Sequence, residues 1–494
     1  MGLVEILLAL ALIVFVLCYY INRLLGLPPG PVPWPIVGNT FQMPMADIDR
    51  RLLELKKQYG DVFTLWLPYP TVIVCGHEGN FGLIFEENAW YRSQRRFTIH
   101  TLKNLGVGKD TIKKTISMLT HRTVDLLKNT NGEPIELRNY LTNAVGNVIN
   151  QLAFGFVRPH EDKEIIRFQF LLNEVFENFN NPKMLLLDLV PFLRHFDRFL
   201  GFGIESTMHG NDAILEFIQR VNFQERNSVF DLAVYFLFEQ FDHHKRMINY
   251  DQEPSNYLDA YIHELHRREK EGIQDLRKRN SVADEFTEKQ CVVAIYDLYS
   301  AGLETIVNTL RFCFHYILNN RAIQQKIHKE IDDTIGRERD VTMEDQKILP
   351  YTCAFLQEVY RAGYVLTVNF LRITMDDVDC EGFKLPRGTR VIPQFQSVHM
   401  DETIYPRPEL IIPERHLKDG QFVKDDRITG FSVGKRACLG ENLARMEVFM
   451  FFTSLMQKFR FEPEGLYPPE LKVLTSALRA PLTYKIRVID RCTE

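Results

Sequence analysis

The sequence predicts a mainly α-helical body with small β-sheets, folded as one large domain behind an N-terminal membrane anchor. Three observations carry that reading. From Arg95 to about Phe461 the apolar residues recur mostly at helical spacing. Strand-like runs are confined to two short zones, 60–74 and about Phe370 to Ile392. The chain also opens on an uncharged apolar run, Ile6 to Ile21, followed by a cluster of prolines. A length of 494 residues would by itself suggest two or three domains. No repeat and no low-complexity linker follows residue 35, so one body is expected.

The first element is the apolar run. It is slightly shorter than the about 20 residues that cross a bilayer, but Leu3 and Val4 extend it past Glu5. A cleaved signal peptide would end in small residues, whereas Asn22-Arg23-Leu24-Leu25 follows here, so a retained anchor is expected. No Lys or Arg precedes the run and Arg23 follows it, which leaves the body on the cytosolic side. Pro28, Pro29, Pro31, Pro33 and Pro35 then give a stiff spacer without backbone donors. Residues 1–27 are read as anchor and hinge, and 28–494 as the body.

Within the body, Val62-Phe63-Thr64-Leu65-Trp66 and Thr71-Val72-Ile73-Val74 flank a Pro68-Tyr69-Pro70 turn and read as a hairpin. A helix capped by Thr287 runs to Asn319, about 50 Å at about 1.5 Å per residue and long enough to cross a domain. Gly382 and Pro386-Arg387-Gly388 supply turns in the second β zone.

Composition removes several function classes. Lys and Arg total 59 against 64 Asp and Glu, a net charge of −5, which argues against a bulk nucleic-acid binder. Eight cysteines without a C-x-x-C pair argue against a disulfide scaffold or a cysteine-rich zinc site. His263 and His266 lack the i, i+4 spacing of a zinc helix, and His243 and His244 are adjacent, so both pairs read as surface residues.

One cysteine carries chemistry. Phe431-Ser432-Val433-Gly434-Lys435-Arg436-Ala437-Cys438-Leu439-Gly440 fits F-x-x-G-x-R-x-C-x-G, five fixed identities at set spacing. A thiolate ligand needs a lowered pKa, which a helix N-terminus and a nearby cation supply. Cys438 directly precedes an amphipathic segment whose first N–H groups would point back at the sulfur. Gly434 and Gly440 allow close approach to a flat ligand, and Arg436 can pair with an anionic group at its rim.

With these residues the chain resembles the cytochrome P-450 haem-thiolate monooxygenases of the animal microsomal type, from the proline hinge to about residue 490. Glu358-Val359-Tyr360-Arg361 matches the family's E-x-x-R, and Pro413-Glu414-Arg415-His416 follows it. The resemblance implies the cytochrome P-450 fold, haem b as cofactor, Cys438 as axial iron ligand, and a structural triad of Glu358, Arg361 and Arg415 under the haem. Ala301-Gly302-Leu303-Glu304-Thr305 resembles A-G-x-[DE]-T. It implies that Ala301 borders the haem and that Glu304 and Thr305 deliver protons. Asp297, Glu304 and Arg311 also recur every seven residues, so a polar stripe on the same helix is the competing reading. Phe431, Gly434 and Arg436 belong to the cofactor site. The propionates would be gripped by Arg95, with Tyr91 at the family's tryptophan position and Trp90 one step early, and by Arg372.

The chain departs from the family most clearly after residue 75. Only Cys75 to Asn80 lie between the hairpin and Phe81-Gly82-Leu83-Ile84-Phe85, where relatives place several dozen residues holding a helix and a loop that roofs the substrate pocket. That segment reads as missing. Ile306, Thr367 and His416 replace a common threonine, proline and phenylalanine.

The function implied is insertion of one atom of O2 into a small lipophilic substrate. Electrons would come from NADPH through a membrane-bound cytochrome reductase docking near Arg95, Arg96 and Lys435, with a small haem electron carrier as a second donor. The implied location is the endoplasmic reticulum membrane, body on the cytoplasmic face. Two other readings stay open: a peroxide rearrangement that needs no reductase, against which the acid–alcohol pair counts, and a haem-binding but catalytically compromised anchored protein, which the missing roof favours.

Overall fold

The computed structural model describes residues 10–17, 26–34, 38–44, 48–67, 70–74, 89–105, 110–159, 229–272, 286–475 and 478–491. Residues 10–17 are helical and their apolar side chains are largely exposed. Half of the apolar run lies outside the described residues, and no described helix is long and apolar enough to cross a membrane.

The body's first described α-helix is α1 (Ile48–Tyr59), followed by the hairpin β1 (Val62–Trp66) and β2 (Pro70–Val74). Alternation along β1 sends Phe63 and Leu65 into a small core with Ile48, Leu52, Leu55 and Ile73. Val62 goes to the opposite face with Val72, Val74, Leu385 and Val391. Covering both faces explains why β1 is buried throughout.

Helices then dominate: α2 (Ala89–Asn104), α3 (Asp110–Lys128), α4 (Leu137–Phe154), α5 (Val229–Met247), α6 (Tyr257–Lys270) and α7 (Glu288–Asn319). The long helix is capped as the sequence predicts, with Thr287 Oγ1 accepting from the Gln290 N–H at 3.0 Å. It packs along α4 and also meets α5 and α11 (Glu441–Lys458), so its side chains form the axis of the main core.

Next come α8 (Arg321–Thr334) and α9 (Pro350–Ala362). The Glu330 carboxylate accepts from the Tyr351 and Thr352 N–H groups at 2.6 and 2.8 Å, which caps α9 and fixes it on α8. The second β zone forms β3 (Arg372–Ile373), β4 (Val378–Cys380), β5 (Phe383–Leu385) and β6 (Arg390–Pro393), ending at the short α10 (Gln396–His399). The hairpin and two strands of the second zone, separate in the sequence, join in one sheet of order β1-β2-β6-β3, while β4 and β5 pair with each other. β2 pairs with β6 in parallel, Thr71 opposite Arg390 and Val74 opposite Pro393. A 3-10 turn at Pro413–His416 leads to the β7 (Leu417–Lys418) and β8 (Gln421–Phe422) pair, and another at Gly434–Arg436 precedes α11. The C-terminal strands are β9 (Phe459–Pro463), β10 (Val473–Thr475), β11 (Arg479–Pro481) and β12 (Ile486–Asp490), paired β9 with β12 and β10 with β11.

Candidate functional site

The cysteine loop is a tight, internally bonded turn. Ser432 N–H donates to Thr429 O at 2.7 Å, and Cys438 N–H donates to Phe431 O at 2.8 Å. The chain reverses between these bonds, with Ser432 at φ +62° and Gly434 at φ +72°. Gly434 is required there, because a side chain is strained in that conformation. The sulfur of Cys438 receives the N–H groups of Gly440 and Glu441 at the start of α11, the arrangement expected from sequence.

The expected depression of its pKa does not follow. Cys438 opens on one side, but the protein surrounding it elsewhere pushes the thiol up, and Glu441 adds to that. The two N–H groups and Arg95 oppose the rise without cancelling it.

Phe431 is held from behind. The Arg445 guanidinium lies 4.7 Å from the ring centroids of both Phe431 and Tyr360, which meet edge-on at 5.7 Å. Arg445 is in turn paired with Glu441 at 2.9 Å.

Two of the three proposed propionate contacts lie at this loop. Arg95, on α2, donates to Ala437 O at 2.6 Å. Arg372 donates through Nη2 to Ser432 Oγ, while its buried Nη1 has no hydrogen-bond partner among the described residues. Burial lowers the Arg372 pKa, and the neighbouring Arg436 cation lowers it further. The side chains of Trp90 and Tyr91 fall outside the described residues.

Glu358 is the hub of the buried charges. It accepts two bonds from Arg361, at 2.9 and 2.8 Å, one from Arg415 Nε at 3.1 Å and one from the Ile412 N–H at 3.1 Å. A fourth side chain joins the expected three: His416 donates through Nε2 to Glu358 Oε2. Burial acts to raise the Glu358 pKa, but hydrogen bonds from His416 and Arg361 hold it down at about 2.

On α7, Asp297, Ala301 and Thr305 follow at four-residue steps and share one side, open at Asp297 and Ala301 and partly open at Thr305. Asp297 is open on that side, while the protein packed around the rest of it raises its carboxyl to about 6. Thr305 Oγ1 donates to Ala301 O at 2.6 Å within the helix. Glu304 is not beside Thr305 in space, because successive helical residues are about 100° apart. Its carboxylate is buried, paired with Arg138 of α4 at 3.1 Å and 3.5 Å from Asn308 Nδ2. Arg311 continues the buried row, donating to Asn308 Oδ1 at 2.9 Å and to Pro481 O at 2.7 Å. The polar stripe is therefore real from Glu304 to Arg311, and it ties α7 to α4 and β11.

The family model for cytochrome P450 matches residues 28–81 and 77–488. This chain belongs to the cytochrome P450 family. It is 46% identical to a probable cytochrome P450 CYP36A1 of Caenorhabditis elegans over 516 aligned positions, covering 99% of both chains. It is 30% identical to mouse cytochrome P450 2D10, over 94% of this chain and 92% of that one, and 29% identical to mouse cytochrome P450 2C44, over 94% of each. As a P450 it is a haem-thiolate monooxygenase with haem b as its cofactor. The mainly helical architecture with small sheets is that of a P450.

Sequence reading missed His416 as a partner of Glu358, His399 behind the cysteine loop, and Arg138 on Glu304. His416 was visible only as a departure from a common phenylalanine.

Proposed function

We propose that this P450 inserts one atom of O2 into a small lipophilic substrate, with Cys438 as the axial ligand of the haem iron. The observation that carries the reading is Cys438 itself: a sulfur open on one side, aimed at by the first N–H groups of α11, at the end of a turn that admits few other conformations. The surroundings fit the cofactor. The orphaned Nη1 of Arg372, close to Arg436, is a buried donor that a propionate carboxylate would satisfy, and Arg95 approaches the same loop. Gly440 leaves open space where a side chain would stand, and Ala301 is small and open on α7.

Haem, when bound, supplies oxygen activation, with thiolate ligation favouring O–O cleavage. The protein's own work is to position and to move protons. Glu358, Arg361 and Arg415 brace the segment beneath the cysteine loop. Thr305 Oγ1 holds a proton at the open side of α7, and Glu304, once its carboxylate turns from Arg138 and takes a proton from solvent, passes that proton on to replenish it. NADPH-derived electrons would arrive through a cytochrome reductase on the cysteine face, where Arg96 is exposed, with a small haem electron carrier as a second donor. The apolar run from Ile6 to Ile21 and the proline hinge support a single-pass anchor over residues 1–27 in the endoplasmic reticulum membrane, with the 28–494 body on its cytoplasmic face.

A second reading, a haem-binding protein with compromised turnover, is favoured by the short link after residue 75. The family match comes in two pieces that meet at 77–81, and the alignment with the nematode relative is longer than this chain. The reduced carbon-monoxide difference spectrum, followed by NADPH-dependent turnover with reductase, tests both. A red-shifted thiolate band lost in Cys438→Ala supports the ligand, and its retention in that variant overturns it. The band without NADPH-dependent product favours the second reading.

A further inference from the structure

The charged hub at Glu358 and the cysteine loop make no direct side-chain bond in the described structure, so something must carry the position of one to the other. Arg361 uses Nη1 to donate to His399 O at 2.7 Å, while Nη2 donates to Pro408 O at 2.8 Å. His399 is the last residue of α10 and is wholly buried. Its ring lies against Phe395 and Tyr364, with centroid distances of 5.4 and 6.2 Å. On the far side its Nε2 accepts the Thr429 N–H at 3.0 Å. A side chain added at the neighbouring Gly430 would come within 3.8 Å of His399 Cε1, so the ring lies close beside this stretch of backbone. Thr429 O then accepts from Ser432 N–H, and Phe431 O from Cys438 N–H. Beside the packing of Tyr360 on Phe431, one hydrogen-bonded path from Glu358 to Cys438 thus runs through an imidazole, bonded by its backbone on one side and by its ring on the other.

We propose that His399 is a positioning residue for the thiolate loop, its Nε2 lone pair fixing the Thr429 N–H and thereby the turn that presents Cys438. This rests on the reading of Cys438 as the iron ligand. The chemistry requires a neutral ring with the proton on Nδ1, since a protonated Nε2 would confront the Thr429 N–H with another donor. Burial, reinforced by the Arg361 cation, lowers the His399 pKa to about 3, so the acceptor persists at neutral pH. Without an acceptor, a part-buried backbone N–H is left unpaired, and the entry to the loop loses its anchor.

Three substitutions at one position separate this role from plain packing. His399→Gln places an amide oxygen near the Nε2 position, His399→Asn carries its amide one bond shorter, and His399→Leu fills the space without an acceptor. The readouts are far-UV circular dichroism, the reduced carbon-monoxide spectrum, and the rate of haem transfer to excess apomyoglobin. The expected order is parent and Gln together, with Asn and Leu showing a blue-shifted carbonyl band in place of the thiolate band and haem loss faster by roughly tenfold or more. A Leu variant with the parent's band and loss rate overturns the proposal. So does a Gln variant no better than Leu in folding yield, band or loss rate. Failure of the Cys438 reading is distinct, because the Cys438→Ala spectrum reports it independently of position 399.

Discussion

His416 Nε2 and Glu358 Oε2 lie 2.8 Å apart, with both side chains sealed from solvent. A buried carboxylate that already receives two arginines thus has a third, uncommon side-chain donor, supplied by the residue next to Arg415. Its effect on stability has a definite sign. The folded-state pKa of Glu358 is about 2 against the usual 4.5, so the group stabilises the fold above pH 4.5. That contribution is lost as pH falls from 4.5 towards 2.

His416→Phe is therefore expected to destabilise the fold by about 1–3 kcal/mol at pH 7 and to move the acid-unfolding midpoint upward. Acid titration followed by circular dichroism and haem absorbance checks it. An unchanged midpoint would mean that the two arginines suffice.

Glu447 presents the opposite case. It sits inside the buried helix α11, neither carboxylate oxygen has a hydrogen-bond partner among the described residues, and burial drives its pKa well above 4.5. A raised folded-state pKa means stability that is complete below pH 4.5 and declines as pH rises toward the folded value. Glu447→Gln should remove this decline, giving a Tm equal to or above the parent's at pH 7 and a growing advantage at pH 8. A drop in Tm would show that the carboxylate is ionised and paired.

Thr305→Ala removes a hydroxyl whose observed bond is to its own helix, so the stability change should stay within about 1 kcal/mol and haem content should hold. The proton role predicts a fall in product formed per NADPH, with the electrons appearing as peroxide. Unchanged coupling would remove Thr305 from the proton path.

Inserting a relative's segment between Gly76 and Phe81 should slow haem loss, tighten substrate binding and improve coupling, because a closed site excludes water. The natural chain matching the restored one in all three would show that other residues roof the pocket.

Much of this site was legible before any coordinates. Cys438, Glu358, Arg361 and Arg415 stand in short motifs whose chemistry restricts the residue types allowed, and Thr287 announced the start of α7 through its capping chemistry. His399 and His416 were not legible, since their roles arise from contacts with residues distant in the chain. Around Cys438 the sequence reveals the helix start and a nearby cation but not how much protein closes around the sulfur. Adjacency in the motif also suggested that Glu304 and Thr305 act side by side, whereas the helical turn between them sends Glu304 to Arg138. The parallel join of β2 to β6 escaped because either strand read alone is only a short apolar run.

That join has a consequence for how the chain is made. β2 emerges from the ribosome long before β6, and on the adjoining helix Lys56 Nζ must await Ser397 O, 341 positions later. At about 5–20 residues per second, translation of that interval takes roughly 15–70 s. Through it the β1–β2 hairpin has only α1 to cover one face, while its β2 edge stays unpaired and the face of Val62, Val72 and Val74 stays uncovered. Biogenesis of this enzyme therefore favours a chaperone that shields the hairpin until its last partner strand is synthesised.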